Sequence, residues 1–333
     1  MKKIIVVYNP RSSRFKEVSR EVFEKIRGEK GVLVGKYEIE PTNPRDNAER
    51  IAEVVQGGEL VIAAGGDGTA TIAMNGVILA REKYGKEAVF TALPFGNFND
   101  FPRLFGELSI KEAVGKFKEG RGEEFYPIGV KINGREFWNF GVYFTVGMMA
   151  ESAGVFDEKK TREKLKTGKT GIFFSARKLF FWYLKNKRKK FLGRGELRRL
   201  DNRGDVVKIT TLTGKETDYV AMNGGTVARV LRAPKGSGGK DYFREEKIFW
   251  SGAEKLVGLI RLFRLGFIRG ILKNRLPGEE TGGDLIKFEK PLTVSLHAEG
   301  EEKRVSGVRE ILVRKLEKPI KVIRIERKKN ERK

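Results

Sequence analysis

A short apolar run that breaks at glycines and restarts as a helix constrains this chain more than any other feature. Leu60-Val61-Ile62-Ala63-Ala64 reads as a strand buried on both faces. Gly65-Gly66-Asp67-Gly68-Thr69-Ala70-Thr71 follows, and Ile72 to Leu79 runs on with helical character. Glycines let a backbone come close to an anion, and the free N–H groups of a helix start face it. Gly65, Gly66, Gly68 and Thr69 are therefore candidate phosphate-binding residues. Asp67 is the informative position. A carboxylate beside phosphates is repulsive unless a metal or its waters mediate, so its presence suggests Mg²⁺ nearby. Taken alone, the stretch reads equally well as a tight strand-to-helix turn with an exposed aspartate.

At 333 residues the chain can hold two domains, each with its own core. It has no cysteine, which excludes disulfides, thiolate metal sites and cysteine nucleophiles. The single histidine, His297, excludes a multi-histidine metal site. The first apolar run, Ile4 to Tyr8, is too short for a signal peptide, and no apolar stretch reaches transmembrane length. The expectation is a soluble cytoplasmic protein. A formal charge of +24 predicts attraction to an anionic partner: nucleic acid, an acidic membrane surface or nucleotide phosphates. Charge does not choose among these, and a general habit of lysine and arginine usage is the bland alternative.

Ile4 to Tyr8 reads as a buried strand, closed by Asn9-Pro10-Arg11-Ser12-Ser13. Those are turn and N-cap residues, and a helix follows from Val18 to Ile26. Backbone amides with Ser12 or Ser13 are placed to meet phosphate. A second strand spans Val32 to Ile39 and ends at Pro41-Thr42-Asn43-Pro44, after which Asp46 is expected to cap a helix through Val55. The central strand and its glycine turn come next, then a helix to about Tyr84 and a strand from Ala88 to Leu93. Strands alternating with helices predict a parallel sheet with helices on its faces, a Rossmann-like α/β nucleotide-binding domain over residues 1–124. Ligands bind beyond the carboxyl ends of such strands. Asn9, Thr42, Asp67 and the stretch after Leu93 all lie at those ends.

That last stretch is Pro94-Phe95-Gly96-Asn97-Phe98-Asn99-Asp100-Phe101-Pro102-Arg103. Gly96 permits a sharp turn, while Asn97, Asn99 and Asp100 bring polar side chains to the same edge as Asp67. Two acidic residues on adjacent strand ends suit a Mg²⁺–nucleotide site. An Asx-rich turn is the plainer reading. The pairing of Gly65-Gly66-Asp67-Gly68-Thr69 with this second stretch, about thirty residues on, resembles the diacylglycerol kinase catalytic domain. That family includes sphingosine, ceramide and soluble bacterial lipid kinases, with NAD kinases as distant relatives. Asn97 and Pro102 stand where its second motif usually has threonine and alanine. Asn9-Pro10-Arg11-Ser12-Ser13 is similar to its phosphate turn, and Thr42 matches a threonine ahead of its next helix. The resemblance implies ATP as phosphoryl donor, Mg²⁺ ordered by Asp67 and through water by Asp100, and a cradle of Asn9, Pro10, Ser12, Ser13, Thr42, Gly65, Gly66, Gly68, Thr69, Gly96, Asn97 and Asn99.

After Gly120-Arg121-Gly122 the alternation stops. Short β-rich runs follow: Tyr126 to Ile132, Phe137 to Val146, Val206 to Leu212, Tyr219 to Met222, Leu292 to Leu296 and Glu310 to Arg314. They predict an antiparallel sandwich or open barrel over residues 125–316. The resemblance implies the same β-sandwich, with the active site in the cleft between the domains. Asn139-Phe140-Gly141 and Asn223-Gly224-Gly225 resemble the family's asparagine-bearing strands, but Thr226-Val227-Ala228-Arg229 replaces the usual glycine cluster. Residues 317–333 are expected to hold a strand returning to the first domain, Ile320 to Ile325, and a basic tail.

Two inserts interrupt the β region. Gly171 to Leu184 is helical in spacing, rich in phenylalanine, and runs into Lys185, Lys187, Arg188, Lys189 and Lys190. Leu256 to Leu272 sets Arg261, Arg264 and Arg269 among leucine, isoleucine and phenylalanine. Basic amphipathic helices with aromatics lie well on anionic bilayers. Core helices with solvated basic ends are the alternative. Stacking on single-stranded nucleic acid is a third reading, but no recognisable nucleic-acid fold accompanies it. Thr167-Gly168-Lys169-Thr170 looks like a P-loop fragment, yet Glu163 stands where its first glycine belongs.

Glu299-Gly300-Glu301 ends the strand Val294 to Ala298. By spacing it is an acidic hairpin turn, and His297 before it fills a strand face. The family carries Asp-Gly-Glu at a similar place, so the resemblance implies that Glu301, aided by Glu299, accepts the proton of the acceptor hydroxyl. Glu245-Glu246-Lys247 stands where many members have an Asp-Gly pair that helps hold a structural Mg²⁺, leaving Glu246 as the candidate ligand there. The sequence thus points to an ATP-dependent kinase acting on diacylglycerol or a related lipid alcohol, cytoplasmic and peripherally membrane-associated, with a homodimer left open. Its rivals are an NAD kinase-like enzyme and a non-catalytic nucleotide-binding protein at the membrane.

Overall fold

The computed structural model describes residues 2–10, 12, 15–40, 44–96, 99–141, 143–147, 150–151, 154, 161, 174, 177–178, 181–182, 185–186, 192–214, 218–223, 243–248, 282–298 and 301–325. Four parallel strands carry the first half: β1 (Lys2–Tyr8), β2 (Val32–Glu38), β3 (Leu60–Gly65) and β4 (Val89–Pro94), in the order β2-β1-β3-β4. They are joined by α1 (Phe15–Glu17), a π-helical turn at Val18–Phe23, α2 (Glu24–Arg27), α3 (Pro44–Val54) and α4 (Asp67–Tyr84). After β4 come α5 (Asp100–Leu104) and α6 (Ile110–Lys118). The chain leaves β1 toward β2 on one side and β3 toward β4 on the other, so strand order reverses between β1 and β3. That reversal opens a crevice at their carboxyl ends.

Burial fixes those ends in register. Ile4 to Val7 and all of β3 are buried, as the continuous apolar runs predict. Each large aliphatic side chain removed from water contributes about 1.5–3 kcal/mol, so sliding β3 against β1 is strongly disfavoured. Three boundaries differ from the sequence expectation. Asp46 does not cap α3 but sits in its first turn, behind Pro44, whose missing N–H and fixed φ suit a helix start. Helix α4 begins at Asp67 rather than Ile72, so Asp67, Gly68 and Thr69 are helical. Phe137 to Val146 is two strands, not one.

Two further short strands complete the first sheet. β5 (Glu123–Phe125) pairs antiparallel with β15 (Ile320–Val322), and β15 lies parallel to β4. The chain crosses to a separate antiparallel sheet at Tyr126-Pro127 and returns across residues 316–319, where the Leu316 N–H donates to the Pro127 carbonyl at 2.8 Å. Arg81, near the end of α4, donates to the Lys318 carbonyl at 2.9 Å and α4 also lies against the second sheet.

The antiparallel sheet contains β6 (Ile128–Ile132), β7 (Arg135–Gly141), β8 (Tyr143–Gly147), β9 (Arg194–Leu200), β10 (Val206–Thr213), β11 (Asp218–Asn223), β12 (Phe243–Ile248), β13 (Gly283–Ala298) and β14 (Glu301–Lys315). Its main order is β12-β11-β8-β13-β14-β6-β7. The first half of β13 pairs with β9 and its end with β8, with register shifts between. The Tyr219 hydroxyl on β11 donates to Asp284 Oδ2 on that first half at 3.0 Å, so the two parts meet through the interior. Phe144, Val146, Leu197, Ile286, Leu296 and Ile311 pack there. Burial first, and then the Asp284 charge, push the Tyr219 phenol well above 10 and keep it a hydrogen-bond donor.

Among the described residues no helix is long and apolar enough to cross a membrane. Of the first basic insert, Phe174, Arg177, Lys178, Phe181, Trp182 and Lys185 are described and helical. Phe181 is 55 % exposed and the Arg177 guanidinium lies 5.7 Å from its ring centroid. The basic run 187–190, the second insert at 256–272 and residues 226–229 lie outside the described residues.

Candidate active site

The crevice is built from three strand ends. In register, Tyr8 faces Ala64 and Ala64 faces Leu93, while Gly65 faces Pro94. Asn9 and Pro10, the Gly65-Gly66-Asp67 turn and the Phe95-Gly96 turn therefore emerge side by side. The turn after β1 is closed by the Ser12 N–H donating to the Asn9 carbonyl at 3.0 Å. The Ser12 hydroxyl oxygen is buried and has no hydrogen-bond partner in the protein. A buried hydroxyl left unpaired costs about 1–3 kcal/mol, which a bound anion would relieve.

The glycines are demanded by packing. A Cβ on Gly65 would lie 2.5 Å from Thr69 Oγ1, and one on Gly96 would lie 2.5 Å from Gly66 Cα. The two turns therefore touch backbone to backbone. Asn99, in the left-handed region at φ 56°, accepts the Gly96 N–H on its Oδ1 at 2.6 Å and pins the second turn. Gly66 caps α4 without a side-chain hydrogen bond, so the start of an eighteen-residue helix, the end that favours an anion, lies at this edge. Thr69 is buried at 5 % exposure with its side chain against Gly65, so only its backbone N–H can serve an anion.

Asp67 ties the two motifs together. Its Oδ1 accepts the Phe101 N–H at 3.2 Å, linking the glycine turn to the start of α5. The Thr71 hydroxyl donates to the Asp67 carbonyl at 3.1 Å, and buried Asn75 donates to Thr71 O at 2.8 Å, stiffening the first turns of α4. Phe101 is fully buried against Phe90 and Phe105, so the amide that orients Asp67 is held by the core. Sequence reasoning missed this Phe101 contact, since a backbone amide leaves no mark in residue identity.

The structure thus brings together Asn9, Pro10, Ser12, Gly65, Gly66, Asp67, Gly68, Thr69, Gly96 and Asn99. Ser13, Thr42, Asn97 and Glu299 lie outside the described residues. Asp100 begins α5, Glu246 pairs with Val220 at the sheet edge, and Glu301 opens β14 opposite Ala298. The side chains of these three are also outside the description. Among the described residues no group of three or more acidic or histidine side chains could hold a metal. Asp67 is a described carboxylate at this edge that could serve a magnesium ion.

Also missed was Tyr8, immediately before Asn9. Its ring stacks on Phe15 at 5.7 Å and meets Phe23 edge-on at 5.3 Å, and its hydroxyl donates to Glu38 Oε2 at 3.1 Å. Desolvation, then the hydrogen bond to Glu38, raises the Tyr8 phenol above 10. A cleft of about 350 Å³ lined by Arg81, Lys131, Arg314 and Lys318 lies at the far end of α4 from Asp67 and is separate from this crevice.

The arrangement is two glycine turns meeting backbone to backbone at the carboxyl edge of a parallel sheet, with the Asp67 carboxylate fixed between them, a geometry that could take an anion. Residues 3–126 match the family model of the diacylglycerol kinase catalytic domain, a stretch that spans strands β1 to β5 and the helices between them. This bears out the resemblance read from the two motifs. The sequence matches none of the curated proteins. Among solved structures the chain is similar to one described as a "putative diacylglycerol kinase" from Bacillus anthracis str. Sterne, at 15 % identity and TM-score 0.58, with 97 % of each chain covered. It is also similar to another described as a diacylglycerol kinase from the same organism, at 13 % identity and TM-score 0.57, again with 97 % of each chain covered. At these identities the likeness is one of fold, and it extends over both sheets.

Proposed function

We propose that this protein is an ATP-dependent kinase that phosphorylates the hydroxyl of diacylglycerol or a related lipid alcohol. The observation that carries this is the contact between the glycine turn and the Gly96 turn, bridged by Asp67, inside a domain matched by the diacylglycerol kinase model. ATP would supply the phosphoryl group, and Mg²⁺, when bound, would supply charge neutralisation of its oxygens. The N–H groups at the start of α4, the Asn9–Ser12 turn and the unpaired Ser12 hydroxyl bind the phosphates. Asp67, fixed by the Phe101 amide, would hold Mg²⁺, and Asp100 would help to hold it through water. Glu301, aided by Glu299, accepts the proton of the lipid hydroxyl as its oxygen bonds to the γ-phosphorus and the bond to the β-bridging oxygen breaks, releasing ADP. Glu301 opens β14 of the second sheet, and α4, the helix that begins at Asp67, meets the edge strand β7 of that sheet.

The protein meets its substrate at an anionic membrane surface, peripherally. The exposed Phe181 with the Arg177 guanidinium near its ring supports that placement. Incubation with γ-labelled ATP and Mg²⁺ against either a total lipid extract or NAD tests the proposal. Label in an organic-extractable phospholipid supports it. Label in the NAD arm alone would assign an NAD kinase, and ATP binding without any transfer would assign a nucleotide-binding protein without catalysis.

A further inference from the structure

Glu38 ends β2 on the same sheet edge as the phosphate cradle, and nothing in that cradle uses it. The register runs Glu38, Tyr8, Ala64, Leu93 in a row across four strands, and the glycine turn starts one residue beyond Ala64. Neighbouring strands are about 4.8 Å apart, so Glu38 stands roughly 10 Å from the β3 turn. That separation matches a nucleotide lying along the edge with its phosphates at β3 and its sugar near β2.

Glu38 is exposed, yet its carboxylate is oriented. Tyr8 donates to Oε2 at 3.1 Å, and the tyrosine ring is wedged between Phe15 and Phe23. The neighbouring Ile39 N–H donates to the Tyr8 carbonyl at 2.8 Å, so the two strand ends move as one. A carboxylate is acceptor-only, with capacity left after one bond, and a vicinal diol offers it two donors. An acidic side chain at the end of the second strand is a common partner for ribose in nucleotide-binding parallel sheets.

We infer that Glu38, oriented by Tyr8, accepts hydrogen bonds from the ribose hydroxyls of the bound nucleotide and sets a preference for ribonucleotides. This rests on the nucleotide reading of the cradle. The same carboxylate disfavours a nucleotide bearing a 2′-phosphate. Glu38 touches no transferring atom, so it is a binding and specificity residue, and Tyr8 is a positioning residue that acts through it.

The test compares binding of ATP and 2′,3′-dideoxy-ATP to the full chain with Mg²⁺, for the native protein, Glu38→Ala, Glu38→Gln and Tyr8→Phe. The native protein prefers ATP about tenfold, the worth of a charge-assisted hydrogen bond in a solvated position. Glu38→Ala binds both nucleotides equally, at the native affinity for dideoxy-ATP. Glu38→Gln retains part of the preference, because its amide oxygen still accepts. Tyr8→Phe keeps the ring and lowers the preference without changing the dideoxy-ATP affinity. Equal native affinity for the two nucleotides, or a loss in Glu38→Ala shared equally by both, would overturn the ribose assignment alone. Failure of the native protein to bind either would overturn the nucleotide reading, and this assignment with it.

Discussion

Replacing Gly96 by alanine probes the contact on which the site depends. Gly96 does not have a positive φ, so alanine is acceptable to its backbone and any effect comes from the added methyl. That methyl would lie 2.5 Å from Gly66 Cα and 3.0 Å from Asn99 Oδ1. One neighbour is main chain and the other is held by its hydrogen bond to the Gly96 amide, so neither can swing aside. Ordinary contact begins at 3.4 Å, so the two turns must part by about 1 Å. Overpacking of this kind costs about 1–3 kcal/mol, and a 1 Å displacement within a reacting site costs about 100-fold in rate. Urea unfolding should show that loss of stability, and nucleotide titration should show a much larger loss of affinity than the stability change alone explains. Gly115→Ala is the control. Gly115 lies inside α6 with nothing within 4 Å of an added Cβ, so alanine there should stabilise by about 0.5–1 kcal/mol and leave nucleotide binding unchanged. A Gly96→Ala protein with native stability and native nucleotide affinity would refute the backbone contact.

Asp67→Asn keeps an oxygen for the Phe101 amide but removes the charge, so folding by circular dichroism should be unchanged while phosphoryl transfer falls below detection. Glu301→Gln should bind ATP normally in calorimetry and fail to transfer phosphate, because an amide cannot take the acceptor's proton. Ser109 caps α6 and shares a capping box with Glu112, so Ser109→Ala should lower stability by about 1 kcal/mol in denaturant titration. The Glu112 carboxyl lies below its ordinary 4.5 because of hydrogen bonds from the Ser109 hydroxyl and amide. That contribution is therefore complete above 4.5 and lost as pH falls through the lower folded value, so the gap between native and Ser109→Ala proteins should narrow in acid.

Much of the first half was legible because its signals are local. A continuous aliphatic run as short as Leu60 to Ala64, bounded by glycines, reads as a strand buried on both faces, and the glycines of residues 65–68 and 96 mark where backbones approach. The extent of α4 was not legible, because Gly68 and Thr69 read as loop; their helical state is set by Gly66 at the cap and by packing of Thr69 on Gly65. In the second half β9, Arg194-Gly195-Glu196-Leu197-Arg198-Arg199-Leu200, escaped notice because its charge masks the alternation. Only Leu197 and Arg199 turn inward, and Arg199 is accommodated by Asp284 at 3.7 Å, eighty-five positions away. β12, Phe243 to Ile248, is equally charged and equally silent. The same distance effect hid Tyr8 and Glu38, whose partnership exists only once β1 and β2 lie in register.

The seat of the triphosphate is best tested by diffraction from crystals grown with Mn²⁺ and a non-hydrolysable ATP analogue, locating the metal from its anomalous signal. The account predicts a manganese peak beside Asp67, with phosphates along the start of α4 between Ser12 and Gly96. A triphosphate found instead among Arg81, Lys131 and Lys318, at the opposite end of α4, would contradict it.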